Sequence, residues 1–133
     1  MSILAIIGSV FIGLAALVHV YIFTLESISW STPKTWKTFG LKTQEEADIT
    51  KPMAYNQGFY NLFLALGSGT GLVLLLATPL TQAGFALAVF GALSMVLAAL
   101  VLITSSPKLA RAAVLQGGAP LIGTVLLVLS VVL

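Results

Sequence analysis

Seven residues in this chain can do chemistry that its leucines and alanines cannot: His19, Glu26, Trp30, Gln57, Tyr60, Asn61 and Gln116. Histidine and glutamate can move protons. Amides can hold a ligand from both a donor and an acceptor end, and indole or phenol rings offer an apolar face with one polar tip. Their setting gives them weight, because 59% of the 133 residues are hydrophobic and only 8% are charged. A carboxylate in or near lipid costs roughly a few kcal/mol, so such residues tend to be functional.

Spacing groups these residues. Positions three, four or seven apart share one face of a helix. One stripe contains Gly8, Ala15, His19, Ile22, Glu26 and Ser29; a second contains Gln57, Asn61, Leu64, Ser68 and Gly71; a third contains Gln116, Gly123 and Ser130. Asn61 and Gln116 each lie nine positions after a proline read as opening a helix (61 − 52 and 116 − 107). That equal offset places both amides at one depth, with Glu26 above and His19 below. The expectation is a polar layer built from three helices, with Gln57 and Asn61 turned inward and Phe59 and Phe63 turned toward lipid or a neighbouring helix. Pro120 cannot donate to the Gln116 carbonyl, which then needs another partner in the bundle interior or a cavity.

Each residue also has a plainer use. Interhelical amides often act only as glue, worth about 0.6 kcal/mol on average. His19 taken alone reads as a hydrogen-bonded core histidine and Ser68 as a packing hydroxyl. Tyr21, Tyr55 and Tyr60 can be interface anchors, and Glu26, near a helix end, can snorkel to headgroups. One histidine, one glutamate and some amides do not make a transition-metal site. The sequence has no nucleotide-binding loop and no hydrolase or metalloprotease motif, and it calls for no metal and no cofactor.

The elements that must position these residues follow from composition. A soluble domain is about 25% charged, so most of this surface needs lipid as its solvent. Four apolar stretches, about residues 3–25, 55–78, 83–104 and 112–133, reach the ~20 residues needed to cross a bilayer. Their hydrophobicity is continuous, without a period of two, which excludes a barrel and leaves helices. The fold class is all-α: an integral membrane four-helix bundle in a single transmembrane domain, residues 1–133. Pro33, Pro52 and Pro107 each follow a polar residue, as proline does in a first helical turn, and Pro79 stops the second span. Residues 33–39 read as a short interfacial helix closed by Gly40, with Trp30, Trp36 and Phe39 as an aromatic belt at headgroup depth. Thr43 to Glu46 has capping-box spacing and reads as the start of another short helix. Gly67/Gly71 and Gly84/Ala88/Ala92 are close-packing faces and candidate contacts with a second copy of the chain.

Charge gives orientation. The six basic residues fall at Lys34, Lys37, Lys42, Lys51, Lys108 and Arg111, in the first and third loops, and none falls in the second loop or near the termini. The expectation is cytoplasmic loops at residues 26–54 and 105–111 with both termini outside. Residues 1–25 contain no Lys or Arg and read as a retained span rather than a removable signal. With no cysteine, thiol and disulfide chemistry are excluded. Six basic residues split between two loops make no stripe for nucleic acid, which is not expected as a partner.

The segments His19-Val-Tyr-Ile-Phe-Thr-Leu-Glu26 with Trp30, Asn56-Gln-Gly-Phe-Tyr-Asn-Leu-Phe-Leu-Ala65, and Gln116-Gly117 resemble the small four-span bacterial membrane proteins called domain of unknown function thirteen-oh-four. The resemblance covers essentially the whole chain and implies the bacterial inner membrane; it supplies no activity. A fainter internal echo relates Ser31-Thr-Pro-Lys34 to Ser105-Ser-Pro-Lys108, and Gln57-Gly58 to Gln116-Gly117, as two hairpins about an axis along the membrane normal would. Three functions fit these residues. The first is binding or transport of a small, partly apolar molecule at a cytoplasm-facing polar pocket, where Glu26 could carry a proton for coupling. The second is an intramembrane enzyme doing isomerase-like chemistry on a lipid-soluble substrate, with His19 and Glu26 as acid and base. The third is a structural or accessory subunit. An open pocket at the Glu26 layer separates the first two from the third.

Overall fold

A computed structural model describes the whole chain, residues 1–133, as helices without strands. The first span is α1 (Ile3–Phe23), whose last turn runs on as a π-helical turn, Thr24–Ile28. A short α2 (Pro33–Thr38) follows, then α3 (Gln44–Ala77), α4 (Thr81–Ser105), and α5 (Ala110–Val132), the last led by a 3₁₀ turn at Pro107–Leu109. Four of these segments are long and apolar enough to cross a membrane. They form a closed ring in which α1 packs on α3 and α5, and α4 packs on the same two; α1 and α4 barely touch.

The core is built from small residues and the outside from large ones. Ala5, Ile12, Ala88, Ala92 and Leu127 form the central cluster, while Leu14, Leu17, Phe63, Leu66, Phe90 and Leu97 point outward. In lipid the outer leucines lose nothing by exposure, and helices gain by approaching closely, so small residues belong at the contacts. Gly8 and Gly123 carry α1 against α5: a methyl on Gly8 would sit 2.9 Å from the Leu127 backbone nitrogen, and one on Gly123 would sit 2.9 Å from the Gly8 carbonyl. Gly71 lies against the backbone of Ala88, and Gly84 against that of Leu75. The Gly71 and Gly84/Ala88/Ala92 faces therefore join α3 to α4 within one chain. Gly71, Gly84, Ala88 and Ala92 are buried in that contact, whereas a methyl added at Gly67 would meet nothing within 4 Å.

Three features near the basic end differ from expectation. The helix expected from about residue 55 starts at Gln44. The Thr43 side chain accepts from the Glu46 N–H while the Glu46 carboxylate accepts from Thr43 and Lys42, so the capping box opens this same long helix and no separate short one. Pro52 sits inside α3 instead of opening it. Proline removes a single backbone donor, and the capped turns before it hold the helix together.

Trp30 and Trp36 form no belt toward lipid. They pack with Ala47 and Ala54 as a second small core, flanked by Phe39 and Leu41. The Trp30 indole donates to the Ala47 carbonyl at 2.9 Å, and that of Trp36, only 4% exposed, donates to Gln44 Oε1 at 3.2 Å. The early start of α3 supplies the surface that covers them. Gly40, the terminal residue expected for α2, has φ +85°, a conformation that favours glycine.

Candidate functional site

The π-helical turn fixes the site. One residue more than an α-turn is fitted between Thr24 and Ser29, whose N–H donates to the Thr24 carbonyl at 2.9 Å. Such single-turn insertions re-aim side chains and are frequent at functional sites. Here the turn lays Glu26 against α3, and Gly58 makes that approach possible. A methyl at Gly58 would collide with Ser27 Oγ and stand 3.1 Å from Glu26 Cβ. Ser27 Oγ in turn donates to the Tyr55 carbonyl at 2.8 Å, tying the turn to α3.

Glu26 is 8% exposed. One carboxylate oxygen, Oε2, accepts from Asn61 Nδ2 at 2.8 Å, and the same amide nitrogen donates to the Gln57 carbonyl at 3.2 Å. Asn61 is therefore fully engaged as a donor, with Glu26 as its acceptor. Beside this pair runs an open groove of about 270 Å³ lined by Glu26, Trp30, Thr50, Met53, Ala54 and Gln57. It lies between the π-helical turn and the early part of α3. With 34 residues, α3 is roughly 51 Å long against a hydrocarbon core of about 30 Å, and all of its charged residues lie in its first turns, up to Lys51. Thr50 to Gln57 join these charged turns to the apolar run of the helix.

The seven candidate residues separate into two groups. Glu26, Asn61, Gln57 and Trp30 come together. Asn61 is buried, whereas Gln57 stands exposed on the groove wall and makes no side-chain hydrogen bond, so only half of the expected inward pair is internal.

His19, Tyr60 and Gln116 are placed elsewhere. His19 is fully buried, but its Nδ1 donates to the Ala15 carbonyl one turn back at 2.9 Å and the ring does not line the groove. Tyr60 is 56% exposed, one step around the helix from the buried Asn61. Gln116 is half-buried without a side-chain hydrogen bond, on α5, which stands diagonal to α3 in the ring. His19 and Gln116 therefore neither bond to the Glu26–Asn61 pair nor line the groove, and the equal proline offset loses its basis because Pro52 does not begin α3. Phe63 is exposed and Phe59 packs edge-on against Phe23 of α1 at 5.2 Å, the outward and neighbour-facing placements expected of them. Ser68 bonds to the Leu64 carbonyl of its own helix at 2.7 Å, the packing use.

Sequence reasoning missed Thr50, Met53 and Ala54, which it assigned to a loop or to the very start of a helix. It also missed the π-helical turn. The signal for the first was the capping box at Thr43, and the turn left none in residue types.

Helices of this length and composition, closed around small residues, define a multi-pass integral membrane protein, here with an open, mainly apolar groove beside a buried carboxylate. The chain belongs to the family described as Protein of unknown function (DUF1304), whose model matches residues 13–128. No curated protein and no solved structure gives a significant match. The family description names no activity, so the groove has to be read by its chemistry.

Proposed function

We propose that this protein binds a small, partly apolar molecule in the groove beside Glu26, as a binding or transport protein of the membrane. The observation that carries the reading is a carboxylate buried to 8% exposure and held by a single amide, placed on the wall of an open groove. A cluster serving only as glue would close on itself. Here Gln57 stays uncommitted and the groove stays open where polar and apolar zones meet. That position suits a ligand with one hydrogen-bonding end and one apolar end. His19, bonded within its own helix, gives no geometric support to the acid–base pair that an isomerase-like reading would use.

The test is thermal unfolding of the purified protein across a panel of short-chain alcohols, amines and carboxylic acids. A ligand at about a hundred times its Kd stabilises by about 2.7 kcal/mol. At least one compound should raise the unfolding temperature of the wild type and leave that of Gln57→Trp, which fills the groove from an exposed position, unchanged. A flat response across the panel would remove the reading.

The groove is further proposed to open toward the cytoplasm, because all six basic residues lie at its end of the bundle. Single cysteines at Lys42, Gln82 and Lys108, probed on intact cells with an impermeant thiol reagent, should label at Gln82 alone. Labelling at Lys42 or Lys108 would reverse the orientation.

A further inference from the structure

We infer that the groove selects a cationic amphiphile, an alkylammonium with its charged head on Glu26 and its chain running over Met53 toward lipid. This rests on the binding reading above and names the class of ligand. Asn61 has its amide N–H groups directed to Glu26 and to the Gln57 carbonyl. Thr50 donates its hydroxyl to the Glu46 carbonyl at 2.7 Å, and the Trp30 indole N–H is held by Ala47. The Gln57 amide is thus the one side-chain donor left among the lining residues.

Acceptors are in surplus. Glu26 keeps one carboxylate oxygen, Oε1, without a protein partner, and Gln57 adds its own amide oxygen. No Lys, Arg or His lines the groove. An anionic head would meet a carboxylate with one amide to hold it. An ammonium would meet the missing counter-charge, with the mainly apolar walls left for its chain.

The shared chemistry is an ammonium on an alkyl chain, whether a free amphiphile or the choline head of a phospholipid. The experiment titrates octyltrimethylammonium, octanol and octyl sulfate into the purified protein in maltoside micelles, with protein-free micelles subtracted. Octyltrimethylammonium should bind saturably and about tenfold more tightly than octanol, and octyl sulfate should not saturate. Glu26→Gln should erase the preference for the cation. If added phosphatidylcholine competes with octyltrimethylammonium, the head of a lipid is the occupant; if it does not, the occupant is a free amine, and either result supports the cationic site. Octanol or octyl sulfate binding as tightly as the ammonium would overturn the inference while leaving the groove a ligand site. Saturable binding by none of the three would overturn both. The wild-type charge series decides the question even where Glu26→Gln does not fold.

Discussion

The two hairpins of this bundle end at the same side in related sequence and in different chemistry. α1 leads to Ser31-Thr-Pro-Lys34 and α4 to Ser105-Ser-Pro-Lys108; α3 carries Gln57-Gly58 and α5 carries Gln116-Gly117. Both glycines let one helix press on its predecessor: Gly58 meets Ser27 and Glu26, and a methyl on Gly117 would sit 2.6 Å from Ala99 Cβ. Four residues after each glutamine the pattern diverges. The first hairpin has Asn61, bonded to Glu26, and the second has a buried Pro120 in a position that asks for no donor. The first also bends through a π-helical turn and a tryptophan-lined loop, whereas the second closes in a 3₁₀ turn. One scaffold of glycine contacts thus supports an apolar end and an acidic one. The apolar end shows that packing at this place needs no carboxylate, so Glu26 calls for another explanation.

The contrast can be broken by mutation. The largest effect is expected at Asn61. Asn61→Leu leaves Glu26 buried without its donor and should cost about 3 kcal/mol in unfolding free energy. Adding Glu26→Leu should recover most of that loss, since two apolar partners need nothing from each other. Gln116→Leu, which removes no hydrogen bond, should stay within about 0.5 kcal/mol. Equal losses at Asn61 and Gln116 would erase the difference between the two ends.

The glycine contacts come next. Gly58→Ala and Gly117→Ala should each cost about 2 kcal/mol by overpacking. Ala99→Gly should rescue the second. Ser27→Gly should rescue the first only in part, because Glu26 Cβ remains in the way and the bond to the Tyr55 carbonyl is lost. A gain rather than a loss is expected at Gly118, where an added methyl meets nothing within 4 Å. Gly118→Ala should stabilise by about 0.5–1 kcal/mol through helix propensity alone. Destabilisation there would mean that the outer face of α5 is in contact with something.

The same contrast explains how much was legible in the sequence. The four spans followed from apolar runs and proline punctuation, signals that lipid makes strong because it forbids unpaired backbone. Asn61 was legible as an inward amide because helical spacing fixes which side chains share its face. The start of α3 was obscured by Pro52: a proline with polar residues before it looks the same whether it opens a helix or is carried inside one. The same ambiguity hides Thr50, Met53 and Ala54, which line the groove where Gln116 does not. Trp30 and Trp36 read as a headgroup belt because nothing local shows that α3 begins early enough for Ala47 and Ala54 to cover them. The π-helical turn depends on the fit of Ser27 and Glu26 against Gly58, a tertiary contact with no local signature.

The central claim is that the Glu26 carboxyl can be reached from the groove by a small apolar molecule. Dicyclohexylcarbodiimide, a lipid-soluble reagent that couples to carboxyl groups, tests this directly when the labelled protein is read by peptide mass spectrometry. The account predicts modification at Glu26, lost in Glu26→Gln, diminished when Gln57→Trp fills the groove, and distinct from a water-soluble carbodiimide, which should favour the exposed Glu45, Glu46 and Asp48. Modification confined to those three residues, with Glu26 untouched, would contradict it.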